Sequence, residues 1–117
     1  MDEIMNIEQF ETDNNNLMIT LSGEMDALGC SKIRPNLEQI SAQKQAHIVI
    51  DISRVSFIDS SGIGAIVFLF KRLKEQQRTM KITGVQGQPK ELMLLLRMDS
   101  AITMECVADE EMMQCAH

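Results

Sequence analysis

Apolar and polar positions alternate most clearly at the start of the chain. Leu17, Ile19 and Leu21 are separated by Met18 and Thr20 and followed by Ser22 and Gly23, which is the period-two signature of a half-buried strand ending at Gly23. The segment Ile4 to Phe10 alternates more loosely, and the polar cluster Thr12 to Asn16 between the two reads as a hairpin turn. An edge strand paired antiparallel to a second strand follows. Between Asp26 and Lys44 the period changes. Leu28, Ile33, Leu37 and Ile40 recur at helical spacing, with Asp26 or Ser31 placed to cap the start. Pro35 falls inside this stretch, where a proline costs about 3 kcal/mol, so either a late start near Ser31 or a kink at Pro35 is expected.

Ile48 to Ile52 is a β-branched run with polar flanks and reads as a central strand buried on both faces. Ser53 to Ser61 reads as a connection ending in Asp59-Ser60-Ser61-Gly62. Ile63, Ile66, Val67, Phe70 and Leu73 then mark one face of a helix reaching about Gln77. Met80 to Thr83 is a further strand, Pro89 opens a helix through Leu92, Leu95 and Leu96, and Ile102 to Val107 is a last short strand before a frayed helix over Asp109 to Cys115. Strands alternating with helices define an α/β layer with a largely parallel sheet begun by an antiparallel hairpin.

Composition narrows the function classes. The 117 residues suit one domain spanning 1–117 with a single core. Eleven Lys and Arg against seventeen Asp and Glu leave a net charge of −6, which phosphate backbones and anionic lipids would repel, so nucleic acid is not an expected partner. Asp2, Glu3 and Glu8 stand where a secretory signal would need positive charge. The apolar run Gly62 to Phe70 is about half the length of a membrane-spanning helix, so no direct membrane insertion is expected and the location reads as cytoplasmic. Cys30, Cys106 and Cys115 form no C-x-x-C pair and no even framework, and all three read as ordinary thiols.

The segment Asp51-Ile-Ser-Arg-Val-Ser-Phe-Ile-Asp-Ser-Ser-Gly-Ile-Gly64 resembles the signature of STAS domains, and most closely the anti-sigma factor antagonists of bacterial partner-switching systems. Gly23-Glu24-Met25-Asp26 resembles the G-E-x-D turn after that family's second strand, and Pro89 to Leu96 its later leucine-rich helix. The resemblance implies a STAS-like mixed four- to five-stranded sheet, with an N-terminal antiparallel hairpin and helices packed against it. It also implies a non-enzymatic cycle. The unphosphorylated antagonist binds an anti-sigma factor that is also a serine protein kinase, phosphorylation of the serine after the aspartate, here Ser60, releases it, and a metal-dependent serine phosphatase restores it. No cofactor or bound metal is implied. The alternative within the same resemblance is a STAS subunit of a membrane transport assembly, such as a lipid-trafficking ABC system.

Physical chemistry makes the position reasonable. Ser60 lies where a strand gives way to a helix, so a phosphate there would meet unpaired backbone N–H groups and the positive end of the helix dipole. It would add a charge of about −1.5 to −2 beside Asp59, and a binding loss of about 3 kcal/mol is roughly a hundredfold in affinity. The competing role for Ser60 is a helix cap, with Ser61 the better placed of the two serines to cap and Asp59 either ending the strand or orienting the hydroxyl toward a kinase. The expected partner surface around Ser60 comprises Asp26, Asp59, Ser61, Gly62, Gly64, Phe68 and Arg72. Phe68 is assigned there because helical geometry turns it away from Ile63, Val67 and Phe70, making it an exposed binding anchor, against the alternative of a packed core ring. Asp26 and Glu24 are more often turn and capping residues than functional ones, and their loop is also a candidate part of the partner interface.

Other chemistries lack their residues. A serine hydrolase needs G-x-S-x-G with a supporting His and Asp, whereas Ser60 lies in D-S-S-G. Gly62-x-Gly64 lacks the third glycine of a dinucleotide fingerprint and the lysine of a P-loop. Cys115 and His117 at the chain end are too few to hold a metal, and His47 reads as a surface residue.

Overall fold

The computed structural model describes residues 5–12 and 15–107. Strands β1 (Asn6–Thr12), β2 (Asn16–Met25), β3 (His47–Ile58), β4 (Thr79–Val85) and β5 (Thr103–Cys106) form one sheet in chain order. β1 runs antiparallel to β2, and every later pairing is parallel. Helices α1 (Ala27–Ser41), α2 (Ser60–Glu75) and α3 (Gly87–Leu95) provide the crossovers, with a 3₁₀ turn at Met98–Ser100. The expected α/β class, mixed sheet and hairpin are those found.

The core lies on the sheet face that α1 and α2 cover. Leu17, Ile19 and Leu21 of β2 stand opposite Ile48 and Ile50 of β3 and meet Ile33, Leu37 and Ile40 of α1 and Ile66, Leu69 and Leu73 of α2 in one buried cluster. β3 is therefore not sealed on both faces as expected. Ile48, Ile50 and Ile52 are buried, while Val49, Asp51 and Ser53, which alternate with them, are only half-buried. On α2, Ile66 and Leu73 are buried as expected and Leu69 joins them, while Ile63, Val67 and Phe70 of the expected face are half-buried and pack against the flanks of the core. Leu28, assigned to the apolar stripe of α1, is 82% exposed.

Two boundaries differ for one reason. β2 continues past Gly23 to Met25, and β3 continues through the presumed connection to Ile58, because the two strands pair with each other to Met25↔Ile58. β3 carries extra residues against β2 between the Thr20↔Asp51, Ser22↔Arg54 and Glu24↔Phe57 pairs. These bulges break the period-two pattern, so the sequence of this stretch reads as a loop. Beyond Asp51 β3 has no β4 partner, and side chains from the start of α3 take that place. Gln86 Nε2 donates to the Ser53 carbonyl at 3.0 Å, and Gln88 engages Ile58.

α1 begins directly after Asp26 rather than at Ser31 and continues through Pro35. Ser31 and Pro35 are both exposed, so the carbonyl that loses its partner to the proline faces water. α3 starts at Gly87, two residues ahead of Pro89, and α2 ends at Glu75. At the opposite end of the sheet from Asp26 and Asp59, buried Arg78 ties the end of α1 to the start of β4. Its guanidinium donates to the carbonyls of Ile40, Ser41 and Gln45 at 3.2, 3.2 and 2.7 Å and to Gln76 Oε1 at 2.6 Å. Cys30 is a free, buried thiol, but Cys106 at the end of β5 is disulfide-bonded, which corrects the reading of ordinary thiols there. An odd cysteine count speaks for the set and not for each member. Cys115 and the expected helix over Asp109 to Cys115 lie outside the described residues.

Candidate functional site

The two strand-to-helix corners at the C-terminal ends of β2 and β3 are built alike. Each strand is followed directly by an aspartate, and the third residue of the following helix is a glycine: Asp26-Ala-Leu-Gly29 and Asp59-Ser-Ser-Gly62. Both aspartates have extended backbones and cap their helices. Asp26 Oδ1 accepts the Gly29 N–H at 2.8 Å, and Asp59 Oδ1 accepts the N–H groups of Ser61 at 2.8 Å and Gly62 at 3.3 Å. The corners are also joined, because the Asp59 N–H donates to the Met25 carbonyl at 3.3 Å.

The glycines let each helix settle onto the strand ends. A Cβ on Gly29 would lie 2.3 Å from the Glu24 carbonyl oxygen, and one on Gly62 would lie 2.5 Å from Ile58 Cγ1 and 2.7 Å from the Met25 carbonyl oxygen. Gly62 is thus buried by the protein's own packing, which corrects its assignment to the partner surface. Asp59, not Ser61, is the cap of α2, and Ser61 is half-buried behind it. Ser60, the first residue of α2, is exposed, and its hydroxyl makes no hydrogen bond among the described residues. The expectation that a phosphate on Ser60 would meet unpaired amides is narrowed to the N–H of Ser60 itself, which has no partner among the described residues. Asp59 already occupies two of them, and the Ile63 N–H is bonded to the Asp59 carbonyl at 3.0 Å.

Ser60 and Ser61 open onto a groove of about 380 Å³ between α1 and α2. Ala27, Cys30 and Arg34 form one wall, and Gly64 and Phe68 the other. Gly64 has no heavy atom within 4 Å of where a Cβ would stand, so nothing in this fold requires a glycine there. Phe68 is half-buried along the groove rather than freely exposed, and the Arg72 guanidinium lies over its ring at 5.5 Å from the centroid. Burial pushes the Cys30 thiol above its ordinary pKa; the nearby Asp59 and Asp26 carboxylates add to the effect and Arg34 opposes it.

Of the residues assigned to the partner surface, Ser60, Ser61, Gly64 and Phe68 line this groove, Asp26 and Asp59 cap the two helices beside it, and Arg72 lies over the Phe68 ring. Cys30 and Arg34 belong to the same groove, although the apolar stripe of α1 does not announce them. Their spacing with Ala27 at i, i+3 and i+7 was the available signal. Leu28, and Phe57 at 39% exposure, add apolar surface near the same corners. His47, at the far end of β3, bonds Thr79 Oγ1 at 2.8 Å and supplies no base to Ser60. Among the described residues no three His, Cys, Asp or Glu side chains converge as a metal site would need, and no helix is long and apolar enough to cross a membrane.

Comparison with known proteins agrees with this architecture. The STAS domain pattern matches residues 8–110. The chain belongs to the STAS family. This STAS domain is 31% identical over 84 residues to the anti-sigma-B factor antagonist of Listeria monocytogenes, covering 72% of this chain and 74% of that one. It is 30% identical over 82 residues to the anti-sigma-B factor antagonist of Bacillus subtilis, covering 69% and 74%. In fold it is similar to the Bacillus cell fate determinant SpoIIAA in its phosphorylated form, with a TM-score of 0.69 at 20% identity over 91% of this chain and 95% of that one.

Proposed function

We propose that this STAS domain is an anti-sigma factor antagonist whose docking to an anti-sigma factor with serine kinase activity is switched by phosphorylation of Ser60. The observation that carries the reading is the state of the Ser60 hydroxyl. It is exposed on a groove and has no hydrogen bond among the described residues, and the cap of α2 is supplied by its neighbour Asp59. Removing or modifying this oxygen leaves the scaffold's hydrogen bonds intact. Kinship at 30–31% with proteins named anti-sigma-B factor antagonists supports the same assignment.

The unmodified groove, with Phe68 on its wall, Arg72 over that ring and the Asp26 and Asp59 caps beside it, supplies the docking surface. A phosphate adds a charge of about −1.5 to −2 and a held hydration shell where the partner must make contact. A metal-dependent serine phosphatase restores the hydroxyl, which is open to attack at the helix corner. The test is a pull-down from host extract with wild-type, Ser60→Ala and Ser60→Asp baits. The alanine bait should retain a kinase partner and the aspartate bait should lose it; equal recovery by both refutes the switch. Co-purification with a transport ATPase regardless of Ser60 would instead place the domain in a membrane transport assembly.

A further inference from the structure

Phosphorylation of Ser60, if the reading above holds, raises the question of where the phosphate goes. The helix end has few donors left to receive it. Asp59 Oδ1 already takes the Ser61 and Gly62 amides, and its negative charge stands beside the modified residue. The open direction is the groove, which Ser60 lines together with Arg34 on the opposite wall.

Arg34 is exposed and makes no hydrogen bond, ion pair or ring contact among the described residues. Arg72, in contrast, already lies over the Phe68 ring. α1 and α2 leave the C-terminal ends of neighbouring parallel strands, so they run side by side in the same direction. Arg34 lies about two turns into α1, and helical side chains lean toward the N-terminus, which carries its guanidinium back toward the level of Ser60. The charged groups at this site are the Asp26 and Asp59 carboxylates from the caps, Arg34 with the Cys30 thiol from α1, and Arg72 from α2. Of the two cations, Arg34 is the one whose guanidinium holds no hydrogen bond, ion pair or ring contact among the described residues, its interaction being the electrostatic one with Cys30.

We propose that Arg34 captures the phosphate of phosphorylated Ser60 across the groove, bridging α1 and α2 and closing the docking slot from within. A guanidinium is suited to this because its planar fork takes two phosphate oxygens at once. The switch then acts by occlusion as well as by repulsion. Arg34 changes role between states, being a wall residue in the docking form and a latch in the released form.

The test uses the full chain with phosphoserine installed at position 60 by genetic encoding, so that no kinase is needed. The second ionisation of the phosphate is followed by phosphorus NMR. In wild type it should titrate lower than in Arg34→Ala by about one pH unit, with Arg34→Lys in between. Lys71→Ala, an exposed α2 charge outside the groove, should titrate as wild type. Arg34→Ala titrating as wild type would overturn the latch. Because the phosphate is installed directly, that result is separate from whether cells modify Ser60, which mass spectrometry of the native protein decides.

Discussion

The side-chain amide of Gln88 closes on the main chain of Ile58 from both sides, accepting its N–H at 2.8 Å and donating to its carbonyl at 2.8 Å. A glutamine from α3 thereby stands in for the missing neighbouring strand at the last residue before Asp59. The corner that presents Ser60 is held by this clip on one side and by the Met25 carbonyl on the other. Gln88→Ala should cost about 1–3 kcal/mol in urea unfolding, because it leaves two part-buried backbone groups without partners. Hydrogen exchange at the Ile58 amide should accelerate in that variant. Unchanged exchange would show that the clip does not hold the corner.

Gly62 and Gly64 lie two residues apart on one helix and should respond to alanine with opposite signs. At Gly62 the added methyl meets Ile58 and Met25 at 2.5–2.8 Å, and overpacking should destabilise by about 1–3 kcal/mol. At Gly64 it meets nothing within 4 Å, so the better helix propensity of alanine should stabilise by about 0.5–1 kcal/mol. Chemical denaturation of the two variants reads both effects directly. Gly64→Ala should also weaken partner binding, since the methyl stands in the groove; a more stable variant with undiminished binding would remove Gly64 from the docking surface.

Arg78 is expected to be the costliest polar residue to lose. Its guanidinium serves the carbonyls of Ile40 and Ser41 at the end of α1, that of Gln45 in the following loop, and the Gln76 side chain. Arg78→Ala should lower stability by about 3 kcal/mol or more, with an unchanged denaturant slope. Arg78→Lys should recover less than half, because one ammonium cannot reach the carbonyl set that the planar fork spans.

Cys30 sets an alkaline limit on stability. Its thiol pKa is raised in the folded protein, first by burial and then by Asp59 and Asp26, so as pH rises the unfolded chain loses the proton before the folded one. The folded state then binds more protons, and stability must fall with pH from the ordinary thiol range up to the folded pKa. Cys30→Ala should flatten this fall in urea unfolding series collected across that range. Identical slopes for both proteins would show that the thiolate carries no such penalty.

Much of the site was legible because it is written in contiguous residues. Asp59, Ser60, Ser61 and Gly64 sit in one motif, and strand-then-helix periodicity places that motif at a corner. Which residue caps the helix was not legible, since serine and aspartate both suit the position. The choice fell to Asp59 because its extended backbone points the carboxylate back at the Ser61 and Gly62 amides. Phe68 was turned correctly away from the core, but its burial depended on α1, whose distance no helical wheel contains.

The amino-acid sequence by itself determined the order of elements, the hairpin, the class of sheet and the serine at its corner, because those follow from local periodicity and turn chemistry. Only the tertiary structure decided how far β2 and β3 run, which face of α2 is buried and that Arg34 and Ser60 share a groove. Each of these depends on pairing or packing between segments distant in sequence. The β3 bulges erase the alternation that would have announced the pairing, and the groove exists only because two parallel crossovers set α1 beside α2.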